Sequence, residues 1–201
     1  IYIFGKKFDI SQFMRTYKTI TLFALLLLST ILNAEIYENK IFSSTIKTVQ
    51  LFPTGYEMAM PIIQLSTSET LDLHFDELTT KPKTFYYTVV QCNSDWQPGS
   101  LNIMEYVDGF TESTINDYQF SNGTKINYVH YRLQFPNYDM KVTKSGNYAL
   151  IVYETNKENP TFVQRFMVNE PKVIIDAGVA YPRIMYTRDK YQEVVFTVNH
   201  K

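Results

Sequence analysis

Residues 71–92 read LDLHFDELTTKPKTFYYTVVQC, and the fold follows from how this stretch divides. From Leu71 to Glu77 the side chains alternate, with Leu71, Leu73 and Phe75 on one side and Asp72, His74 and Asp76 on the other. A period of two marks a strand with one buried and one wet face. Lys81-Pro82-Lys83 interrupts it as a turn. From Thr84 to Cys92 both faces are apolar, Phe85, Tyr87 and Val89 against Tyr86, Val90 and Cys92, which predicts a strand inside a sheet.

Working outward, the same signals recur at short intervals. Lys47 to Phe52 predicts a strand ended by Pro53-Thr54-Gly55, and Pro61 to Leu65 another, ended by Ser66-Thr67-Ser68. Tyr128 to Phe135 alternates with Val129, Tyr131, Leu133 and Phe135 inward. Asn147 to Tyr153 is apolar on both faces and predicts a hairpin with Phe162 to Val168 through a turn around Asn156 to Pro160. Short strands with almost no helical period predict an all-β fold, an antiparallel β-sandwich of immunoglobulin-like or fibronectin-like kind. Gly146-Asn147-Tyr148 opens a buried strand as a tyrosine corner does in such sandwiches, and Leu150 stands where an antibody domain has its second cysteine. Asn169-Glu170-Pro171 reads as a boundary, because proline cannot donate to a ladder. Lys172 to Ala177 and Glu193 to Val198 then predict two strands of a further unit. The expected organisation is a sandwich domain over 35–170 and the start of a second β domain over 171–201.

Between the strand ending at Cys92 and the one starting at Tyr128 lies QCNSDWQPGSLNIMEYVDGFTESTINDYQFS, residues 91–121. So long a connection inside a compact domain is often functional. It holds the single Trp of the chain, Trp96, with Tyr106, Phe110, Tyr118 and Phe120. It also holds Asp95, Glu105, Asp108, Glu112 and Asp117, and no Lys or Arg occurs between Lys83 and Lys125. Aromatic and acidic together, the stretch is a candidate recognition surface. Asp95, Trp96, Glu105, Tyr106, Asp108, Phe110, Glu112, Asp117 and Tyr118 are its candidate contact residues. A lid folded over its own core is the competing account of the same residues.

The start of the chain carries an address. Met14, Arg15 and Lys18 form a positive region, Ile20 to Leu32 an apolar one, and Leu32-Asn33-Ala34 ends in a small residue, which predicts a secretory signal peptide over 14–34. The apolar run is too short to span a membrane comfortably, so no membrane insertion is expected once the signal is cut. Residues 1–13 read as translated upstream sequence. Of 19 basic and 20 acidic residues, four basic and one acidic lie before Glu35, leaving 15 against 19 and a formal charge of −4. That sign is wrong for a phosphate backbone, so nucleic acid is not an expected partner. Cys92 is the sole cysteine, so no disulfide can form within the chain.

Catalytic signals are missing. There is no G-x-S-x-G elbow, no P-loop and no dinucleotide fingerprint, and the histidines His74, His130 and His200 lack zinc-like spacing. Asp72, His74 and Asp76 share a strand face, which a solvated surface explains without a metal. Acids of the long connection could pair for glycoside hydrolysis only at a spacing that sequence does not give. No enzyme activity, cofactor or metal is expected. The residues alone leave two non-catalytic readings: an adaptor that docks on a partner, or a carbohydrate-binding module with Trp96, Tyr106 and Phe110 as its platform.

A resemblance separates them. Asp95-Trp96-Gln97-Pro98, Glu105-Tyr106-x-Asp108-Gly109-Phe110 and Ile115-x-Asp117-Tyr118 are similar to the plug protein of the bacterial type IX secretion system. So are Tyr131-Arg132-Leu133 running into Phe135-Pro136-Asn137, Ser145-Gly146-Asn147-Tyr148, and Arg165-Phe166-Met167-Val168 ahead of Glu170-Pro171-Lys172-Val173. The resemblance runs from about Asn39 to about Val198, and members of that family are longer, so this chain looks like the front part of one. It implies a periplasmic protein at the inner side of the outer membrane. There it would act as a monomer within a complex, closing the periplasmic mouth of a translocon barrel when no substrate passes.

Overall fold

The computed structural model describes residues 2, 3, 6, 7 and 36–200. The expected signal peptide, 14–34, lies outside the described residues. The chain divides into two compact units, residues 1–36 and 37–201. In the first, β1 (Tyr2–Ile3) pairs antiparallel with β2 (Lys6–Lys7).

In the second unit the strands are β3 (Lys40–Ile41), β4 (Ile46–Pro53), β5 (Ile62–Gln64), β6 (Leu71–Glu77) and β7 (Phe85–Cys92). They continue with β8 (Val107–Gly109), β9 (Ser113–Ile115), β10 (Asp117–Phe120), β11 (Val129–Phe135) and β12 (Met140–Val142). β13 (Gly146–Tyr153), β14 (Phe162–Asn169), β15 (Val173–Ala180) and β16 (Glu193–His200) complete the order. A four-stranded sheet runs β10-β11-β6-β4, and a larger one runs β3-β14-β13-β7-β9 with β5 added in parallel to β14. All other pairings in the two sheets are antiparallel. The fold is an all-β sandwich, as the alternation implies.

The two sheets meet through the residues that the period of two selects. Leu71, Leu73 and Phe75 of β6 and Val129, Tyr131, Leu133 and Phe135 of β11 enter one core with Phe85, Tyr87 and Val89 of β7 and Tyr148, Leu150 and Val152 of β13. Aromatic rings fill its centre. Phe75 stacks on Tyr131 at 4.9 Å and 7°, while Phe85 meets both edge-on at 5.2 and 5.0 Å. Such offset and edge contacts add to burial, about 0.5–1.5 kcal/mol per pair. The buried hydroxyls are satisfied: Tyr131 donates to the Lys83 carbonyl at 3.0 Å and accepts from the Lys83 N–H at 2.7 Å, and Tyr87 accepts from Asn137 at 2.8 Å. Tyr148 donates to the carbonyl of Lys144 at 2.8 Å. This is the corner bond anticipated from Gly146-x-Tyr148.

β7 and β13 are apolar on both faces because both faces are covered. Cys92, Ala149, Ile151, Tyr153 and Val163 form a second cluster on the outer side of the larger sheet, with Tyr37, Tyr86, Val90 and Trp96 packed against it. β7 is less central than its composition suggests, since beyond it lies only the three-residue β9.

β15 and β16 pair with each other over eight residues in a two-stranded sheet. Every residue of β15 is exposed. In register, Ile175 opposes Val198, Ala177 opposes Phe196 and Val179 opposes Val194, which puts the apolar side chains on one face.

Candidate functional site

The stretch after Cys92 is not an open loop. Expected as a connection without strands, it contains β8, β9, β10 and a 3-10 turn over Ile103–Glu105. Three- and four-residue strands carry too few positions for a period, and here their pairing is imposed by a neighbour. The chain reverses at Asn93–Gln97 and runs back along the edge of β7. Pro98 bridges to Cys92, the Gly99 N–H bonds the Gln91 carbonyl at 2.7 Å, and Thr88 Oγ1 donates to the Thr111 carbonyl at 2.7 Å. Ser113 and Ile115 then pair with Tyr87 and Phe85. One residue later the chain crosses to the other sheet, where β10 pairs with β11. The stretch thus covers an edge of one sheet and supplies the edge of the other, which protects strands that would otherwise recruit another chain.

This path decides what each candidate side chain does. The turn at Asn93 is built by its side chain, whose Oδ1 accepts the N–H groups of Asp95 at 2.9 Å and Gln97 at 3.0 Å. It places Trp96 in the left-handed region, φ 62°. The Trp96 ring lies under the Arg165 guanidinium, 4.5 Å from ring centre to cation, and its carbonyl accepts the Tyr37 N–H at 2.9 Å. Arg165 Nε also donates to the Tyr37 carbonyl, and its backbone N–H to Asn39 Oδ1 at 2.6 Å. Trp96 is therefore the clasp that ties residues 37–39 to the larger sheet.

Glu105 closes a capping box: its Oε2 accepts the Asn102 N–H at 2.7 Å while Asn102 Oδ1 accepts the Met104 N–H at 3.1 Å. Tyr106 is core, 4 % exposed, with its hydroxyl on the Val89 carbonyl at 3.3 Å and its ring 5.9 Å from Tyr148. Glu112 Oε2 accepts the Tyr153 hydroxyl at 2.6 Å. Burial, helped by this carboxylate, holds the Tyr153 phenol well above its ordinary range. Asp117 pairs with Arg132 at 3.2 Å, and Tyr118 leans on Tyr131 at 5.8 Å.

Seven of the candidates are exposed: Glu105, Glu112, Asp117 and Tyr118, held as described, and Asp95, Asp108 and Phe110. Asp95 is exposed at the turn, and Asp108 is exposed opposite Lys141 in the β8–β12 pair. Phe110 is 65 % exposed. Gly109 between them has φ 103°, and a Cβ there would lie 2.3 Å from the Asp139 carbonyl oxygen, so only glycine lets β8 approach this closely. The Phe110 N–H bonds that same carbonyl at 2.7 Å. Of the nine candidates Tyr106 is buried and Trp96 half-buried. Trp96, Tyr106 and Phe110 do not form a flat platform: one ring faces a guanidinium, one is buried, and Phe110 alone offers its ring to solvent.

The structure exposes apolar residues that the sequence reading passed over. Tyr56 is 71 %, Met58 100 %, Met60 72 % and Tyr138 92 % exposed. Their only sequence signal is large apolar residues inside turn segments, as in Gly55-Tyr56-Glu57-Met58-Ala59-Met60-Pro61, where no buried face requires them. On the outer face of the four-stranded sheet, Asp76 accepts from Thr48 and pairs with His130 at 2.7 Å, and the His74 ring meets His130 edge-on at 5.3 Å. Among the described residues no helix is long and apolar enough to cross a membrane.

The model of the family described as "Type 9 secretion system plug protein 1st domain" matches residues 46–170. Among solved structures, the chain is similar to a hypothetical protein from Parabacteroides merdae ATCC 43184, at 35 % identity and a TM-score of 0.75. That match covers 83 % of this chain and 42 % of the other, so the chain spans less than half the length of that relative. A second match is to the Pseudomonas fluorescens alkylpurine DNA glycosylase AlkC bound to DNA containing an abasic site analog. It has 8 % identity and a TM-score of 0.32 over 62 % of this chain and 30 % of that one, and carries no argument. No curated protein matches the sequence.

Proposed function

The chain belongs to the family of type 9 secretion system plug proteins through their first domain, and from that membership we propose that it works as a plug. In this reading it sits in the periplasm at the inner side of the outer membrane. It closes the periplasmic mouth of the translocon barrel while no substrate is in transit. The observation that carries the reading is the family match over residues 46–170, which takes in the sandwich from β4 through β14. The family is that of a secretion-system domain and not of an enzyme.

The mechanism would be steric. A sandwich closed around an aromatic core can obstruct an opening without performing chemistry. Docking would rest on a few apolar anchors for affinity and on charge for orientation. Of the candidate stretch, Asp108 and Phe110 are the residues we assign to docking, since they are exposed and lie two residues apart in sequence. Tyr106, buried two residues before Asp108, would support that surface from beneath. Because transport must resume, the contact has to be reversible and of moderate strength.

Purification of the protein from outer-membrane extracts tests this directly. The expected result is a translocon barrel recovered with it and identified by mass spectrometry, together with leakage of large antibiotics into cells that lack the protein. Recovery without any barrel, in cells whose outer membrane stays tight on its removal, refutes the plug reading.

A further inference from the structure

One end of the sandwich, where Pro53 of β4, Leu71 of β6 and Phe135 of β11 lie in register, carries two neighbouring cavities. The first, about 400 Å³, has Ile63, Leu65, Val142 and Val168 in its wall, with Asp108 and Lys141 also lining it. The second, about 460 Å³, is walled by Pro53, Met60 and Ile62, with Tyr56 beside them. Ser68, Glu69 and Thr70 line both and therefore form the ridge between them.

The ridge is held in place. Glu69 Oε2 accepts the Gln64 N–H at 2.7 Å, Thr67 Oγ1 donates to the Gln64 carbonyl at 2.8 Å, and the Thr54 and Thr70 hydroxyls meet at 2.8 Å. Beside it, on the second cavity, stand Tyr56 and Met60, each at least 71 % exposed. Large apolar side chains in water at a cavity mouth mark a contact surface rather than packing. Methionine, unbranched and polarisable, can adapt to a partner's shape. Among the residues that line the two cavities, the acids are Glu69 and Asp108 and the base is Lys141, which is the register partner of Asp108, so Glu69 is left without a cation. Glu69 stands between the two apolar hollows, so whatever fills both must pass a carboxylate.

Resting on the plug reading, we propose that this end receives an exposed segment of the barrel that seats two apolar side chains in the paired cavities and sets a lysine or arginine against Glu69. The acidic ridge favours such a segment and disfavours an acidic one, since a like charge left against Glu69 would be repelled while partly desolvated. This surface includes Asp108, so it extends the docking assignment across the end of the domain to residues outside the candidate stretch.

Photo-crosslinking in the full-length protein, in its own cells, tests the assignment. The reactive residue is placed at Met60, at Thr143 on the first cavity, and at Lys125 in the turn between β10 and β11 at the opposite end. Adducts with the barrel are expected from positions 60 and 143 and not from 125, mapping to a barrel segment with a basic residue. Glu69→Gln keeps an acceptor for the Gln64 N–H and removes the charge, and should lower these adducts at least ten-fold. Glu69→Lys should lower them further and regain them when the facing basic residue is changed to Glu. Barrel adducts from position 125 alone, adducts indifferent to Glu69→Gln, or adducts with a second copy of this chain overturn the assignment and leave the plug reading standing. Failure of the plug reading looks different: no barrel adduct from any position and no barrel recovered on purification.

Discussion

Replacing Tyr148 by Phe removes one oxygen atom and isolates one interaction. The ring is fully buried, stacked on Phe166 at 5.3 Å and 18°, and Phe keeps all of that packing. What is lost is the 2.8 Å bond to the Lys144 carbonyl. Lys144 is exposed, so the carbonyl left behind can take a water, and the larger penalty of an orphaned acceptor does not apply. The cost is then that of a single neutral hydrogen bond, about 1 kcal/mol. With a urea slope of about 2 kcal/mol/M, the midpoint should fall by about 0.5 M with the slope unchanged. Tyr148→Ala, which empties the space as well, should cost about 3–5 kcal/mol. The pH dependence supplies a second arm. Burial holds the Tyr148 phenol above its ordinary range, with Tyr106 and Cys92 adding to the effect. The unfolded phenol ionises near pH 10, so above that pH the unfolded state sheds a proton that the folded state retains, and stability falls by up to about 1.4 kcal/mol per unit. Phe has no such proton, so the gap between wild type and Tyr148→Phe should narrow as pH rises past 10. Equal midpoints at pH 7, or a gap that widens above pH 10, would falsify the corner assignment.

The remaining predictions are briefer. Cys92, pushed up to about 11 by burial, and Tyr87, Tyr106, Tyr131 and Tyr153, also raised by burial, all stay neutral in the fold. Stability should therefore decline above about pH 9, beginning with the thiol, and a flat urea midpoint from pH 8 to 11 contradicts the burial of these groups. His74 is held below 6.5 by burial and then by His130, so its share of stability should be lost as pH falls below 6.5. His74→Gln should flatten that limb, which denaturation between pH 7 and 5 measures. Trp96→Ala should cost about 2 kcal/mol through lost burial and the Arg165 contact. Proteolysis should then cut first near Tyr37, and an unchanged cleavage map argues against the clasp. Ending the protein after Glu170 should reduce self-association, because it removes an apolar face that includes Ile175 and Phe196, each at least 60 % exposed. Light scattering decides, with greater association of the shorter form as the adverse result.

The sandwich was legible wherever strands were long enough to show a period. Leu71–Glu77 has the same bounds in sequence and structure, and β11, β13 and β14 lie within a residue of expectation. The corner was legible because Gly146 and Tyr148 sit beside the backbone they engage. β8 and β9 were not, since their partners β12 and β7 lie far off in the chain, and β10, although it neighbours β11, has only four residues, too few to show a period. The candidate site divides in the same way. Asn102-x-x-Glu105 is a local capping pattern that a reader can recognise. Glu112 and Asp117 instead take partners 41 and 15 residues away, and no feature of the stretch itself names Tyr153 or Arg132.

That division changes what the acidity of the stretch means. Five carboxylates without a nearby basic residue suggest a charged docking face, yet three of them, though exposed, bond to groups of the domain itself. Glu105 closes a turn, Glu112 satisfies a buried phenol and Asp117 is matched by Arg132. Among the described residues the side chains of Asp95 and Asp108 accept no hydrogen bond. A joint reversal of Asp108 and Glu112 is consequently a poor probe of docking. The lysine at 112 would leave the Tyr153 hydroxyl without its acceptor, and a loss of binding could follow from the fold alone. Asp108→Lys is the cleaner change: Asp108 is exposed, it forms no side-chain bond of its own, and its register partner Lys141 would meet a like charge only at the surface, where repulsion is weak. Charge density along a sequence therefore does not by itself define a docking face, because some of the carboxylates are tied to groups of the fold while still exposed. Of the two acids that accept no hydrogen bond, Asp108 lies in the wall of a cavity whose other acid, Glu69, comes from a segment far removed in the chain.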